Sequence, residues 1–175
     1  SGTVVINAQG GDDYIESNGT PASSINGGEG SDTIVWFAGT GSQSITGGVD
    51  DDGTPDRDTL LVRLTAGDDL VRVARPGGAQ FAIQRMNASN APFETLTIPL
   101  SGSFEALSIE AERGFDQIRI DDLAGSGLVA VNIDLSLYDA RNDDSDRNSA
   151  PILTNDGANG IVEVTASSGN DAVIL

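Results

Sequence analysis

Apolar and polar residues alternate with a period of two through most of the chain. The alternation is clearest in TVVIN (3–7), YIES (14–17), TIVWF (33–37), TLLVRL (59–64), LVRV (70–73) and FAIQRM (81–86). It continues in TLTIPL (95–100), ALSIEA (106–111), QIRIDDL (117–123), LVAVNIDLSL (128–137) and IVEVTA (161–166). These runs are rich in β-branched residues and bounded by Gly, Asp, Asn and Pro, so each predicts a short strand with alternate side chains on one face. No stretch carries a helical period. With 22 glycines and only 5% aromatic residues, the core is expected to be thin layers of Val, Ile and Leu. A single layer cannot bury its own face, so the strands must fold as a stack.

The turns between the runs repeat. The unit Gly-x-Asp-x-(Ile/Val) occurs five times, with its aspartates at Asp13, Asp32, Asp69, Asp116 and Asp171, and a sixth copy keeps Asp58 but lacks the Gly. Upstream of the first copies lie Ile6-Asn7, Ile25-Asn26 and Ile45-Thr46, separated by 19 and 20 residues. Such a period predicts one solenoid coil per copy. We therefore expect a single all-β solenoid domain over 1–175, with regular coils to about residue 73 and less regular coils and loops over 74–175. The aspartates at 69, 116 and 171 are 47 and 55 residues apart, gaps that hold either more than one coil or coils carrying loops. Residues 74–103 and 136–160 remain open to both readings.

Charge narrows the chemistry. The chain has 9 Lys and Arg against 27 Asp and Glu, a formal charge of −18, which argues against nucleic acid or an anionic membrane as partner. It contains no cysteine and no histidine, which removes disulfides, thiolate chemistry, soft-metal sites and the usual proton shuttle. A hard cation with oxygen ligands remains, calcium above all. No signal peptide and no apolar run long enough to span a membrane is present. The first residues lack an initiating Met and the last fall inside a strand-like run, so both ends read as cut from a longer chain, although a processed mature end would look the same.

The segment Gly27 to Val35, GGEGSDTIV, fits the nonapeptide G-G-x-G-x-D-x-U-x, and the chain resembles the RTX (repeats-in-toxin) calcium-binding modules of large bacterial surface and secreted proteins. This nonapeptide is a repeat signature of calcium-binding parallel β-helices. The resemblance runs over roughly residues 1–125 and 155–175, and the full nonapeptide occurs once. It implies a right-handed parallel β-roll or β-helix holding several Ca2+ ions in its Gly/Asp-rich turns. It also implies the side chains of Asp13, Asp32, Asp58, Asp69, Asp116 and Asp171 as ligands, with carbonyls near Gly10, Gly28, Gly30 and Gly67. Five such ions would leave a charge of about −8, ordinary for a domain of this size.

Two further acidic loops stand apart from the repeat. Asp50, Asp52, Asp56 and Asp58 surround Gly53 and could wrap one ion or form a solvated insertion. Asn142, Asp144 and Asp146 alternate like the start of an EF-hand loop, but Arg147 stands where Gly is needed, and a solvated loop is expected. Trp36 and Phe37 read either as a sugar-stacking platform or as core, and Arg72, Arg75 and Arg85 as internal partners for acids. Catalysis has little support, with no nucleophile elbow and no phosphate loop, although Tyr14, Tyr138, Arg113 and Arg119 are present. The expected protein is a calcium-stabilised structural or adhesive module, not an enzyme, that is secreted or held at a bacterial cell surface. It would stack on neighbouring modules or copies of itself. The alternative is an accessory module of a secreted enzyme, binding surface carbohydrate. A free-standing protein exported by a type I system is a third reading, from the acid-plus-apolar ending Asp171 to Leu175.

Overall fold

The structure is a computed structural model. It describes residues 3–18, 24–49, 56–76, 79–100, 104–112, 116–121, 123 and 125–134, together with the backbone of two strands at 152–153 and 161–165. Asp50, Asp52, Gly53, Asp171 and the 142–147 loop lie outside the described residues.

Every described element is a strand. The chain alternates between two sheets, beginning with β1 (Val5–Asn7) in the first and β2 (Tyr14–Ser17) in the second. Then follow β3 (Ser24–Gly28) and β4 (Thr33–Phe37), and β5 (Gln43–Gly48) and β6 (Thr59–Arg63). The first sheet next receives three strands in succession, β7 (Leu70–Ala74), β8 (Gln80–Met86) and β9 (Pro92–Pro99). Alternation then resumes with β10 (Ala106–Glu110), β11 (Gln117–Ile120), β12 (Ala130–Asp134), β13 (Ile152–Leu153) and β14 (Ile161–Thr165). The second sheet is parallel throughout, in the order β14-β12-β10-β6-β4-β2. The first has the order β1-β3-β5-β9-β8-β7-β11-β13.

Register follows the sequence period. Ile6 pairs with Ile25 and Ile25 with Ile45, so each apolar residue stacks on its counterpart one coil away. Leu60 then pairs directly with Leu107, and Gln117 with Leu70. Each 47-residue gap therefore spans adjacent positions in its sheet. The excess is absorbed by β8 and β9, which are not loops. β8 runs antiparallel to both β7 and β9, which corrects the expectation of a wholly parallel stack. A parallel neighbour needs a long crossover, whereas β7, β8 and β9 are joined by links too short to cross the molecule.

Between the sheets lies one core. Ile25, Ile45, Ile98, Phe81, Ile83 and Val73 of the first sheet are buried with Ile34, Leu60, Leu107, Trp36, Val62 and Ile109 of the second. Trp36 is 0% exposed, so it is core and offers no sugar-stacking face. Among the described residues no helix is long and apolar enough to cross a membrane.

Candidate metal centre: two ladders of acidic residues

The recurring aspartates sit immediately before strands, and stacking of the coils aligns them. The Asp13 amide donates to Asp32 Oδ1 at 2.8 Å, the Asp32 amide to Asp58 Oδ1 at 2.9 Å, and the Asp58 amide to Glu105 Oε2 at 2.8 Å. The carbonyls of the same residues accept from the next coil: that of Asp13 from the Thr33 amide, that of Asp32 from the Thr59 amide, and that of Asp58 from the Ala106 amide. Each acid thus extends the backbone ladder of β2, β4, β6 and β10 by one rung, with its carboxylate standing in for a carbonyl.

Asp69 and Asp116 form a second ladder, in front of β7 and β11, where the Asp69 amide donates to Asp116 Oδ1 at 2.8 Å. Copies of one sequence motif therefore mark two different corners. The cause is that each coil contributes two strands, and Gly-x-Asp-x-apolar marks only a turn that leads into one. Glu105 was not anticipated. It precedes the inward Leu107 by two, as each repeat aspartate precedes its apolar residue, so the spacing alone could have found it.

Three glycines of the nonapeptide acquire distinct roles. A side chain on Gly27 would collide with Asp32 Oδ2 and with the Gly47 carbonyl, and one on Gly47 with Asp58 Oδ2. The absence of a Cβ is what admits the carboxylate. Gly28, at φ 120°, lies under the Gln9 carbonyl, which a Cβ would strike. Gly30, at φ 113°, would bring a Cβ to 2.7 Å from the Gly11 carbonyl. Gly10 bridges to Glu29 of the next coil. Gly67 is exposed in the other corner, where its amide donates to Thr65 Oγ1 at 3.3 Å.

The electrostatic state of the ladders differs. Asp32 is 0% exposed, and its Oδ2, like that of Asp13, is buried without a hydrogen-bond partner. Burial pushes the Asp32 carboxyl above its ordinary range, and the nearby charges of Asp13, Asp12 and Asp56 push the same way. A buried carboxylate in that position requires a proton or a cation. Asp32 Oδ2 and the Gly47 carbonyl both lie close to Gly27, two acceptor oxygens of the kind a hard cation takes. Among the described residues no three Asp, Glu, His or Cys side chains gather tightly enough to hold a metal, so a cation here would draw on backbone carbonyls as well.

At the second corner the protein supplies its own cation. Arg85, from the antiparallel β8, donates through Nε to Asp69 Oδ1 at 2.8 Å and through Nη1 to Glu94 Oε2 at 2.8 Å. Asp69 Oδ2 accepts from the Thr65 amide and hydroxyl, both at 2.8 Å. Glu94 also holds the amides of Gly39 and Gly41. Both Asp69 oxygens are thereby engaged by the protein itself. Arg72 pairs with Asp121, so the expected internal pairing of the arginines holds for it and for Arg85.

These environments set a pH dependence. Asp116 is pushed up to about 7, first by burial and then by the charges of Asp69 and Asp68. Because the Asp32 and Asp116 carboxyls are raised in the folded state, the fold binds more protons than the unfolded chain between about pH 4 and 7, and stability falls as pH rises through that window. Asp121, held low by Arg72 and Arg119 against the opposing effect of its burial, contributes in the opposite sense but only below that window. In chelator the melting temperature is expected to be a few degrees higher at pH 5 than at pH 7.5, read by thermal denaturation. A flat or rising profile would show that neither carboxyl is held protonated. No protein-family model, curated protein or solved structure matches this chain.

Proposed function

We propose that the chain is a calcium-stabilised structural module of an exported protein, a right-handed β-solenoid of the RTX-like kind, whose coils tighten when a divalent cation neutralises the first acidic ladder. Asp32 would hold the ion together with backbone carbonyls of the Gly-rich turns, with Asp13 and Asp58 one coil to either side of it in the ladder. The cation would supply positive charge between stacked carboxylates that otherwise repel. The observation that carries this reading is the fully buried Asp32, whose Oδ2 has no hydrogen-bond partner and lies, like the Gly47 carbonyl, close to Gly27. The charge of −18 acts in the same direction, since self-repulsion opposes compaction until cations bind. Where calcium is scarce the chain would be loose enough to export, and outside the cell binding and folding would be coupled. A scaffold or adhesive role follows from the repetitive build, with neighbouring modules of the same polypeptide as partners.

The test is thermal melting followed by far-UV circular dichroism, in chelator and across a calcium titration at pH 7.5, with magnesium as control. At 100 times the dissociation constant one site adds about 2.7 kcal/mol, or roughly 5–10 °C for a chain of this length. Asp32→Asn is expected to remove most of that rise. An identical melting temperature in chelator and calcium would sink the proposal and leave the ladder as a turn device alone.

A further inference from the structure

Among the described residues, β1 and β2 each end their sheet with an unpaired outer edge, and such edges ordinarily invite another strand. In the interior, neighbouring coils approach closely at one column of backbone positions. The Gln9 carbonyl sits against the Cα of Gly28, and the Gly28 carbonyl against the Cα of Gly48. Register makes the three residues equivalent: Asn7 pairs with Asn26, and Gly28 pairs with Gly48. A Cβ on either glycine would fall on the carbonyl oxygen of the preceding coil, far inside contact distance.

Gln9 is the exception in this column. It keeps the left-handed backbone of its glycine counterparts, with φ 81° against 120° for Gly28, although it carries a side chain. A non-glycine residue held there is strained. Among the described residues no strand lies beyond β1 in its sheet, so no coil there brings a carbonyl against Gln9 as Gln9 and Gly28 do against Gly28 and Gly48. Ala8 likewise replaces the glycine found at 27 and 47.

We infer that Gln9 closes this end of the stack: its Cβ occupies the space that the carbonyl of a further in-register coil would need, whether that coil came from the same polypeptide or from a second copy. Other features of the end would accept such a coil. No described strand pairs with the outer edges of β1 and β2, and the Asp13 carboxylate stands one coil above Asp32, whose Oδ1 takes an amide from the coil before it. One side chain thus decides whether an open edge can extend. This inference does not rest on calcium binding, because the obstruction is steric.

The experiment adds a coil. A copy of residues 24–43 is joined ahead of Val5, in the register that places its Ser24 over Val5, in two otherwise identical chains, one with Gln9 and one with Gln9→Gly. Hydrogen exchange of the added amides is read by mass spectrometry under conditions where β3 to β6 are protected in both. The expected result is at least tenfold slower exchange of the added coil in the Gln9→Gly chain, with exchange near the unfolded rate in the Gln9 chain. Equal exchange of the added coil in the two chains, whether fast or slow, overturns the inference. A failure of the calcium titration would leave this comparison unaffected.

Discussion

Arg85→Ala is expected to lower the unfolding free energy by about 3–5 kcal/mol, read as a fall in the urea midpoint with little change in slope. Its guanidinium is the cation between two buried carboxylates, Asp69 and Glu94, which are 3% and 4% exposed. Removing it leaves two acids desolvated, with Thr65, Gly39 and Gly41 as their remaining donors. Arg85→Lys retains one charge but cannot span both acids in the planar fork that Arg provides, and an intermediate loss is expected. The triple change Arg85→Met, Asp69→Asn, Glu94→Gln is expected to recover more than half of the loss, because it removes the charges along with the cation. A loss below about 1 kcal/mol for Arg85→Ala would mean that water reaches the acids once the guanidinium is gone, and that the cluster contributes little.

Gly28→Ala is expected to cost about 3 kcal/mol or more. Two independent penalties meet at this position: the φ of 120°, and the Gln9 carbonyl, which the new methyl would strike. Gly11→Ala separates them. Gly11 has φ 104°, and nothing lies within 4 Å of where its Cβ would stand, so about 1 kcal/mol of backbone strain is expected there alone. Chemical denaturation of the two variants side by side checks the contrast. Equal losses would show that the coils do not approach as closely as the stacking column requires.

Both predictions concern contacts between coils, and both bear on how the acidic turns should be understood. The nonapeptide GGEGSDTIV has a structural account even before any cation is considered: Gly27 makes room for a carboxylate, Gly28 for a carbonyl, and Asp32 caps the amide of Asp13. What that account leaves over is the second oxygen of Asp32. The two ladders face the same problem of buried negative charge. One meets it at Asp69 with Arg85, while its second member, Asp116, is pushed up to about 7 by burial; the proposed calcium site lies at the other.

The eleven alternating runs were legible in the sequence, and each lies wholly or partly in a strand. The 19- and 20-residue spacings reappear as the register Ile6–Ile25–Ile45. Period-two alternation and β-branched content act within a few residues, and a local pattern reports them. The inward apolar residue two places after each acid was equally local, and it extends to Glu105 and Leu107.

Other features were decided only when the coils stacked. Whether an aspartate joins the ladder of Asp13 or that of Asp69 depends on which sheet the following strand enters, and the motif is the same in both. The antiparallel β8 has the same alternation as a parallel strand, because alternation carries no direction. Arg85 meets Asp69 across 16 residues and Asp13 meets Asp32 across 19, distances over which composition and pattern are silent. The sequence by itself determined a stack of short strands with acids at the turns. Tertiary register decided which acids share a column, which of them an arginine neutralises, and which end of the stack a side chain closes, because each is a contact between segments far apart along the chain.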